Sequence, residues 1–204
     1  MLKIGITGGM GSGKSTVTSI IKEKGYPVIS ADEIVHILLK KGQDTYREVV
    51  KLFGETILDE EKNINRRLLA KVIFADDLLK DKLEAIIHGR VREKIEYIIA
   101  ALEKEEEKPL AIFVEVPLLF EVGWEKIFDR VWVVSATLQK QKERLLATGK
   151  YTEKEIMNRL AKQMPLSEKV KRANLILDNN NGISELSFRV EQGLHDLFLD
   201  RYTE

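Results

Sequence analysis

Residues 8–15 read GGMGSGKS, and this stretch decides the fold expected of the 204-residue chain. It satisfies G-x-x-x-x-G-K-[ST], a pattern in which glycines let the backbone curl around phosphate groups. A short apolar run, residues 2–7, precedes it, and helical spacing follows it to Lys24. A phosphate loop requires this strand, turn and helix, because the helix dipole adds its positive end to the loop amides. Pattern and context therefore both indicate a P-loop.

The motif assigns a task to each residue of the loop. Lys14 is expected to reach the β- and γ-phosphates of a nucleotide, which makes it a candidate catalytic residue. Ser15 is expected to ligate Mg²⁺, and Thr16 to bond the α-phosphate. Together with backbone amides, these side chains give the predicted nucleotide-binding set: Gly11, Ser12, Gly13, Lys14, Ser15 and Thr16.

Composition excludes several classes of protein. The 33 Lys and Arg residues balance 33 Asp and Glu residues, so no global basic field exists for nucleic acid or an acidic membrane. Without cysteine there is no disulfide, thiolate metal site or cysteine nucleophile. No apolar run approaches the ~20 residues of a membrane span. We expect a cytoplasmic protein that binds small molecules, not nucleic acid or membrane, as a monomer or weak homo-oligomer.

Strand-like and helix-like stretches alternate along the rest of the chain. This alternation predicts an α/β protein of the P-loop NTPase fold, with a five-stranded parallel sheet flanked by helices. After residues 2–7, the predicted strands are 27–30, 110–116, 130–135 and 175–177. The predicted helices are 15–24, 31–39, 44–53, 66–74, 81–107, 138–147, 152–163, 166–173 and 183–199.

The helical region between the second and third strands is too long for a simple crossover. We therefore expect an inserted helical acceptor-binding subdomain at residues 32–108 within a single 1–204 domain. The core is expected at 1–31, 109–137 and 171–204, and a lid at 138–170.

Three classes of P-loop protein compete at this point. A nucleotide-switch GTPase would usually show Asn-Lys-x-Asp, and a transporter ATPase Leu-Ser-Gly-Gly-Gln; neither occurs. The third strand ends in Glu115, not in an Asp-Glu pair able to activate water. A small-molecule kinase remains, and the inserted helices suit one.

Five segments carry a resemblance to a known family: residues 5–16, 28–32, 88–92, 115–121 and 178–179. They resemble the dephospho-coenzyme A kinase family, and the resemblance covers almost the whole chain. It implies transfer of phosphate from ATP, with Mg²⁺, to the ribose 3′-hydroxyl of dephospho-coenzyme A. Two alternatives stay open: a kinase of this fold acting on another nucleoside or small hydroxylated metabolite, and a non-catalytic nucleotide-binding regulator.

By this resemblance Asp32 is the general base and helps to organise Mg²⁺, and Asn179 belongs to the nucleotide site. Asp32 follows a predicted strand, in the first turn of a helix. An alternative explanation is structural, because Ser30 and Glu33 have capping-box spacing and Asp32 suits the helix dipole.

The resemblance also implies the acceptor-binding residues. His88 and Arg92 are four residues apart and share a face if the segment is helical. The family has proline after the histidine where this chain has Gly89, so we expect a helix break there. Glu121 either contacts substrate or is a structural anion paired with an arginine. Leu118 and Phe120 either cover apolar parts of the acceptor or belong to the core, and we expect a mixture. The predicted substrate-binding set is Asp32, His88, Arg92, Leu118, Phe120 and Glu121.

Arg144 and Arg159 lie on the predicted lid helices and are candidate catalytic residues. A kinase lid closes over ATP, excludes water and places arginine on the transferring phosphoryl group. Arg159 and Gln163 are one turn apart and are expected to point into the cleft. The family usually has arginine near the position of Thr148, so we expect either that Lys150 or Arg144 substitutes or that stabilisation of the transition state is weaker.

Overall fold

The computed structural model describes residues 1–199. They form two compact units, one of Met1–Ile29 together with the chain from Glu107 onward, and one of Ser30–Glu106. The final five residues of the predicted core segment 171–204 lie outside the described part. Within residues 1–199, no helix combines the length and the hydrophobicity needed to span a bilayer.

The first unit is built on a five-stranded parallel sheet in the order β2-β3-β1-β4-β5. Strand β1 is central and pairs in parallel with β3 and β4; Ile6 lies opposite Glu115 on one side and Trp132 on the other. The predicted P-loop NTPase fold is confirmed. The strands are β1 (Leu2–Gly8), β2 (Val28–Ser30), β3 (Ala111–Glu115), β4 (Arg130–Ser135) and β5 (Leu175–Asp178).

Helices occupy most of the remaining chain, with short 3₁₀ turns at Glu55–Ile57 and Glu125–Ile127. They are α1 (Lys14–Glu23), α2 (Ala31–Leu38), α3 (Asp44–Phe53), α4 (Arg66–Ala75), α5 (Asp77–Glu103), α6 (Leu138–Ala147), α7 (Glu153–Ala161), α8 (Leu166–Lys171) and α9 (Ile183–Leu199).

One face of the sheet packs against α1 and α9. Apolar side chains of the inner strands are fully buried there, among them Ile4, Phe113 and Trp132. The rings of Phe113 and Trp132 meet edge to face, with centroids 5.3 Å apart. Because strands buried on both faces carry almost continuous apolar runs, β3 and β4 were recognisable from sequence.

The second unit has a hydrophobic core of its own. Val49, Ile57, Leu69 and Leu83 form its buried cluster, and α5 packs against α2, α3 and α4. A side chain caps helix α4 of this unit: Asn65 accepts hydrogen bonds from two amides at the start of the helix.

Helix α5 differs from the prediction in its limits and its continuity. It starts four residues earlier than expected because Asp76 caps it by accepting a hydrogen bond from the Leu79 amide. The expected break at Gly89 is wrong, since the helix runs unbroken to Glu103. Glycine costs a helix interior about 1 kcal/mol. Burial of Val91 and Ile95 in the following turns offsets that cost.

Candidate active site

The P-loop joins β1 to α1. Gly13 is the N-cap of α1 and adopts left-handed φ of 99°. A Cβ atom at this position would lie 2.0 Å from the Asn179 amide nitrogen, so only glycine fits. Gly13 has no side chain that could cap α1, so an external anion can approach the first turn of this helix.

Two side chains from distant parts of the sequence hold the loop carbonyls. The Arg144 guanidinium donates to the carbonyl oxygens of Ser12 at 3.2 Å and Asn179 at 2.6 Å. The buried Asn179 amide donates to the same Ser12 oxygen at 2.8 Å. In a trans peptide the N–H points opposite to the C=O, so the Gly13 amide is directed away from these donors. Arg144 and Asn179 thus orient the loop.

Arg144 holds the loop in this structure, and its predicted action on the transferring phosphoryl group stays a prediction. Sequence reasoning placed this arginine on the transferring phosphoryl group, but both terminal nitrogens bond backbone carbonyls of the described chain. The planar guanidinium of arginine presents several donors in a fixed arrangement and can bond two such carbonyls at once, whereas the ammonium of lysine lacks this geometry. Arg144 is therefore a positioning residue of the loop in this structure.

Lys14 and Ser12 supply side-chain donors at the loop. Lys14 Nζ donates to the carbonyl oxygens of Gly8 and Gly9, both at 3.1 Å. The Ser12 hydroxyl is buried, and within the described residues it has no hydrogen-bond partner. Buried polar groups are usually paired, so an unused donor in this loop fits a site formed around a ligand. The loop residues fit a nucleotide phosphate.

The segment after α7 is tied to the loop. The side-chain oxygen Oε1 of Gln163 accepts a hydrogen bond from the Met10 backbone amide at 3.0 Å. The next residue, Met164, donates its amide to Glu121 Oε1 at 2.9 Å. Helix α7 ends at Ala161, so Gln163 lies in the following turn and not on the helix as predicted. This turn connects the P-loop with the chain that follows β3.

Lys169 is a site residue that sequence reasoning missed. Its ammonium lies 2.8 Å from Glu121 Oε1 and donates to the Pro117 carbonyl at 3.3 Å, although its side chain is 0% exposed. Thr7 Oγ donates to the same carbonyl at 3.1 Å. Glu121 is thus paired with a lysine, not with the predicted arginine. No local sequence pattern signals this pair, because Glu121 and Pro117 are distant from Lys169 in sequence.

The apolar cluster after β3 divides between core and surface. Phe120 is 4% exposed, and the Arg172 guanidinium lies 4.5 Å from its ring centroid. Leu119 is buried, whereas Leu118 is 38% exposed. Of the two predicted substrate contacts, Leu118 and Phe120, the structure leaves only Leu118 accessible at the surface.

Arg159 lies on α7 with its guanidinium 4.9 Å from the ring centroid of Tyr151. The helix opens with a capping box between Thr152 and Glu155, as their spacing predicts. Hydrogen bonds from Thr152 lower the pKa of the Glu155 carboxyl. Arg159, in the last turn of α7, is therefore held against Tyr151, which precedes the helix, and its action on phosphate stays a prediction.

Asp32 is the second residue of α2 and is exposed. Ser30 caps this helix by accepting a hydrogen bond from the Glu33 amide at 3.4 Å. The first helical turn thus fixes the position of Asp32 near the positive end of the helix dipole, which favours its negative charge. Its carboxylate stays open to solvent.

His88 and Arg92 lie four residues apart on α5, as predicted. Arg92 Nε donates to Glu96 at 2.8 Å, and both side chains are about half exposed. Between them, Arg90 pairs with Glu48 and Glu93, whose hydrogen bonds raise its pKa above the ordinary value. An acceptor bound by Arg92 must compete with Glu96.

The residues present fit Mg²⁺ as a nucleotide kinase uses it. Across residues 1–199, no group of three or more His, Cys, Asp or Glu side chains is arranged to hold a metal. Mg²⁺ in phosphoryl-transfer sites needs few protein ligands, because phosphates and water fill most positions. The exposed Ser15 hydroxyl at the start of α1 is an oxygen donor of the required kind.

Comparison with known proteins decides the family. The family model described as dephospho-CoA kinase matches residues 2–185. The chain belongs to the dephospho-CoA kinase family. Among relatives of that name, the Aquifex aeolicus protein is 40% identical over 98% of this chain and 100% of its own length. The Lactobacillus johnsonii protein is 38% identical over 95% of this chain and 97% of its own.

Solved structures agree with this family. A Thermus thermophilus protein superposes with a TM-score of 0.81 at 33% identity, covering 96% of this chain and 97% of that one. Dephospho-CoA kinase from Campylobacter jejuni gives 0.70 at 28% identity, covering 96% of each chain. Shikimate kinase from Acinetobacter baumannii gives 0.51 at 17% identity, which shows a shared fold alone.

Proposed function

We propose that this protein transfers the γ-phosphoryl group of ATP to the ribose 3′-hydroxyl of dephospho-CoA, releasing CoA and ADP. Family membership over residues 2–185 carries this proposal. The orientation of the P-loop by Arg144 and Asn179 supports it, because a loop with fixed carbonyls presents its amides to phosphate. Membership counts against a kinase for another acceptor and against a non-catalytic regulator.

Different groups of the protein have separate roles in phosphoryl transfer. The P-loop amides and the opening amides of α1 bind the phosphates, and Lys14 exchanges its two loop carbonyls for β- and γ-phosphate oxygens. Bound Mg²⁺ would neutralise charge on those oxygens, with Ser15 as its protein ligand.

Asp32 acts on the acceptor as general base. A ribose hydroxyl is a weak nucleophile, so a carboxylate that accepts its proton as the phosphoryl group leaves ATP promotes transfer. Asp32 is suited to this role because α2 begins immediately after β2, at the carboxyl edge of the sheet where α/β proteins bind ligands.

The segment from α6 to α8 is proposed to serve as a lid. Arg159 would leave Tyr151 to approach the transferring phosphoryl group, and Gln163 would transmit closure to the loop through Met10. We further propose that the enzyme works in the cytoplasm on small molecules, without nucleic acid or membrane, as a monomer or weak homo-oligomer.

An ADP-release assay with a panel of acceptors tests the proposal. Purified protein with Mg²⁺ and ATP is given dephospho-CoA, adenosine, shikimate or gluconate, and the products are resolved by mass and phosphate position. We expect turnover with dephospho-CoA to exceed all others and the new phosphate to sit on the 3′-oxygen. Preference for another acceptor would favour the alternative kinase, and ATP binding without any turnover the regulator.

A further inference from the structure

A cavity in the second unit combines positive charge with proximity to Asp32. Its volume is about 180 Å³, far more than the ~15 Å³ that one water needs. None of its lining residues is acidic, and three carry or can carry positive charge. The lining residues are His36, Leu39, Lys40, Asn63, Ile64 and Arg66. We call this cavity the His36–Arg66 pocket.

Helix geometry places the pocket one turn from the proposed base. Asp32 and His36 are four residues apart on α2, so they lie on the same face, separated by ~6 Å along the axis. A ligand that presents a hydroxyl to Asp32 therefore extends toward His36 if it runs along this face.

The pocket is arranged as an anion site. Arg66 NH2 lies 2.8 Å from His36 Nδ1, and since arginine can only donate, the imidazole accepts there and carries its proton on Nε2. That N–H and the other guanidinium donors of Arg66 remain to be shared with a ligand. Arg66 is also the first residue of α4, so the positive end of that helix dipole lies at the pocket.

We propose that the His36–Arg66 pocket binds the 5′-diphosphate of the acceptor, an inference that rests on the proposed function. In dephospho-CoA the diphosphate is attached to the same ribose that carries the 3′-hydroxyl. With that hydroxyl at Asp32, the diphosphate lies within reach of His36, Lys40 and Arg66. These residues then select acceptors with a 5′-diphosphate over simple nucleosides.

Arg66→Ala and Arg67→Ala form the test pair. Arg67 is the next residue of α4 and is also exposed but does not line the pocket, so its loss removes the same charge from the same turn. We expect Arg66→Ala to raise KM for dephospho-CoA roughly 10-fold or more with kcat unchanged, the effect of losing a charge-assisted hydrogen bond. Adenosine, which has no diphosphate, should be used equally by all three proteins.

Equal KM values for dephospho-CoA in wild type and Arg66→Ala would overturn the pocket while leaving the proposed function standing. An equal increase in KM for dephospho-CoA in Arg66→Ala and Arg67→Ala would also overturn the pocket. If the wild type phosphorylates no dephospho-CoA, the function fails, and the pocket is tested by titration with inorganic pyrophosphate. A saturating non-hydrolysable ATP analogue with Mg²⁺ then keeps pyrophosphate out of the P-loop. Weaker binding to Arg66→Ala supports the pocket, and unchanged binding refutes it.

Discussion

Lys169 Nζ lies 2.8 Å from Glu121 Oε1, and the lysine side chain is wholly excluded from solvent. Breaking a buried ion pair leaves an uncompensated charge, at a cost of about 3–5 kcal/mol. Because Glu121 keeps 19% exposure, we expect Lys169→Met to lower the free energy of unfolding by about 3 kcal/mol, measured by urea denaturation.

The control for this prediction is on the same helix. Lys171 pairs with Glu168 at the surface, with side-chain exposures of 70% and 50%, so Lys171→Met should cost less than about 1 kcal/mol. Equal losses in the two variants would show that the Lys169 pair contributes no more than a surface pair.

Arg144 provides a test of loop positioning against direct catalysis. Arg144→Ala removes the donors to the Ser12 and Asn179 carbonyls, so the loop loses its orientation. We expect ATP affinity without acceptor to fall roughly 10-fold, as for loss of one or two charge-assisted hydrogen bonds, in an equilibrium titration. Lys140→Ala on the same helix is the control. A reduced kcat with unchanged ATP affinity would instead place Arg144 on the transferring phosphoryl group.

Comparison of Gly13→Ala with Gly25→Ala separates the effect of backbone strain from that of close packing. Gly13→Ala must adopt φ near 99° and also displaces the Asn179 amide from its bond to Ser12. Gly25 has φ of 85° but open space around its Cβ position, so Gly25→Ala carries only the ~1–2 kcal/mol conformational cost. We expect both to lower the melting temperature and only Gly13→Ala to abolish ATP binding. Wild-type ATP affinity in Gly13→Ala would contradict the loop geometry.

Asp32→Asn tests the general base. The amide cannot accept the hydroxyl proton, so kcat should fall about 10²- to 10⁴-fold while ATP affinity persists. The matched control is Glu33→Gln, the next residue of the same helical turn, whose kcat should match wild type. Steady-state kinetics with dephospho-CoA measures both, and a near-normal kcat in Asp32→Asn would remove the assignment.

Gly89 lies inside a continuous helix with no atom near its Cβ position. Gly89→Ala should therefore stabilise α5 by about 0.5–1 kcal/mol, through the lower entropy of the unfolded chain. Gly89→Pro, which restores the residue usual in the family, should cost about 3 kcal/mol in an unbroken helix. Urea denaturation followed by circular dichroism measures both. A stable Gly89→Pro variant would show that this helix accepts a break.

The fold was predictable because its signals are local. The P-loop at residues 8–15 has a fixed motif in a fixed context, and β4 at Arg130–Ser135 was predicted to the residue from its apolar run. The continuity of α5 through Gly89 was not predictable, because the effect of this glycine depends on the tertiary burial of Val91 and Ile95. Propensity at one residue was outweighed by packing in the following turns.

The site was only partly predictable because its supports are contacts between distant residues. Nothing near Lys169 in sequence indicates that its ammonium meets Glu121 and the Pro117 carbonyl. Likewise the sequence alone suggests that Arg144 is a surface or phosphate-binding arginine. Its contact with Ser12 is not evident there, because the two residues are 132 positions apart. The motif therefore identifies the groups that meet nucleotide, and the structure is needed for those that hold them in place.

The central position of β1 affects how the chain folds during translation. This strand is synthesised before its two neighbours in the sheet, which begin at Ala111 and Arg130, whereas Ser30–Glu106 is one continuous stretch with its own buried cluster. Domains fold as units during synthesis, so we expect the middle of the chain to become protease-resistant in ribosome-stalled intermediates before its beginning does. Since Arg144 and Asn179 hold the loop, we expect a nascent chain to acquire nucleotide binding only after Asn179 has left the ribosome.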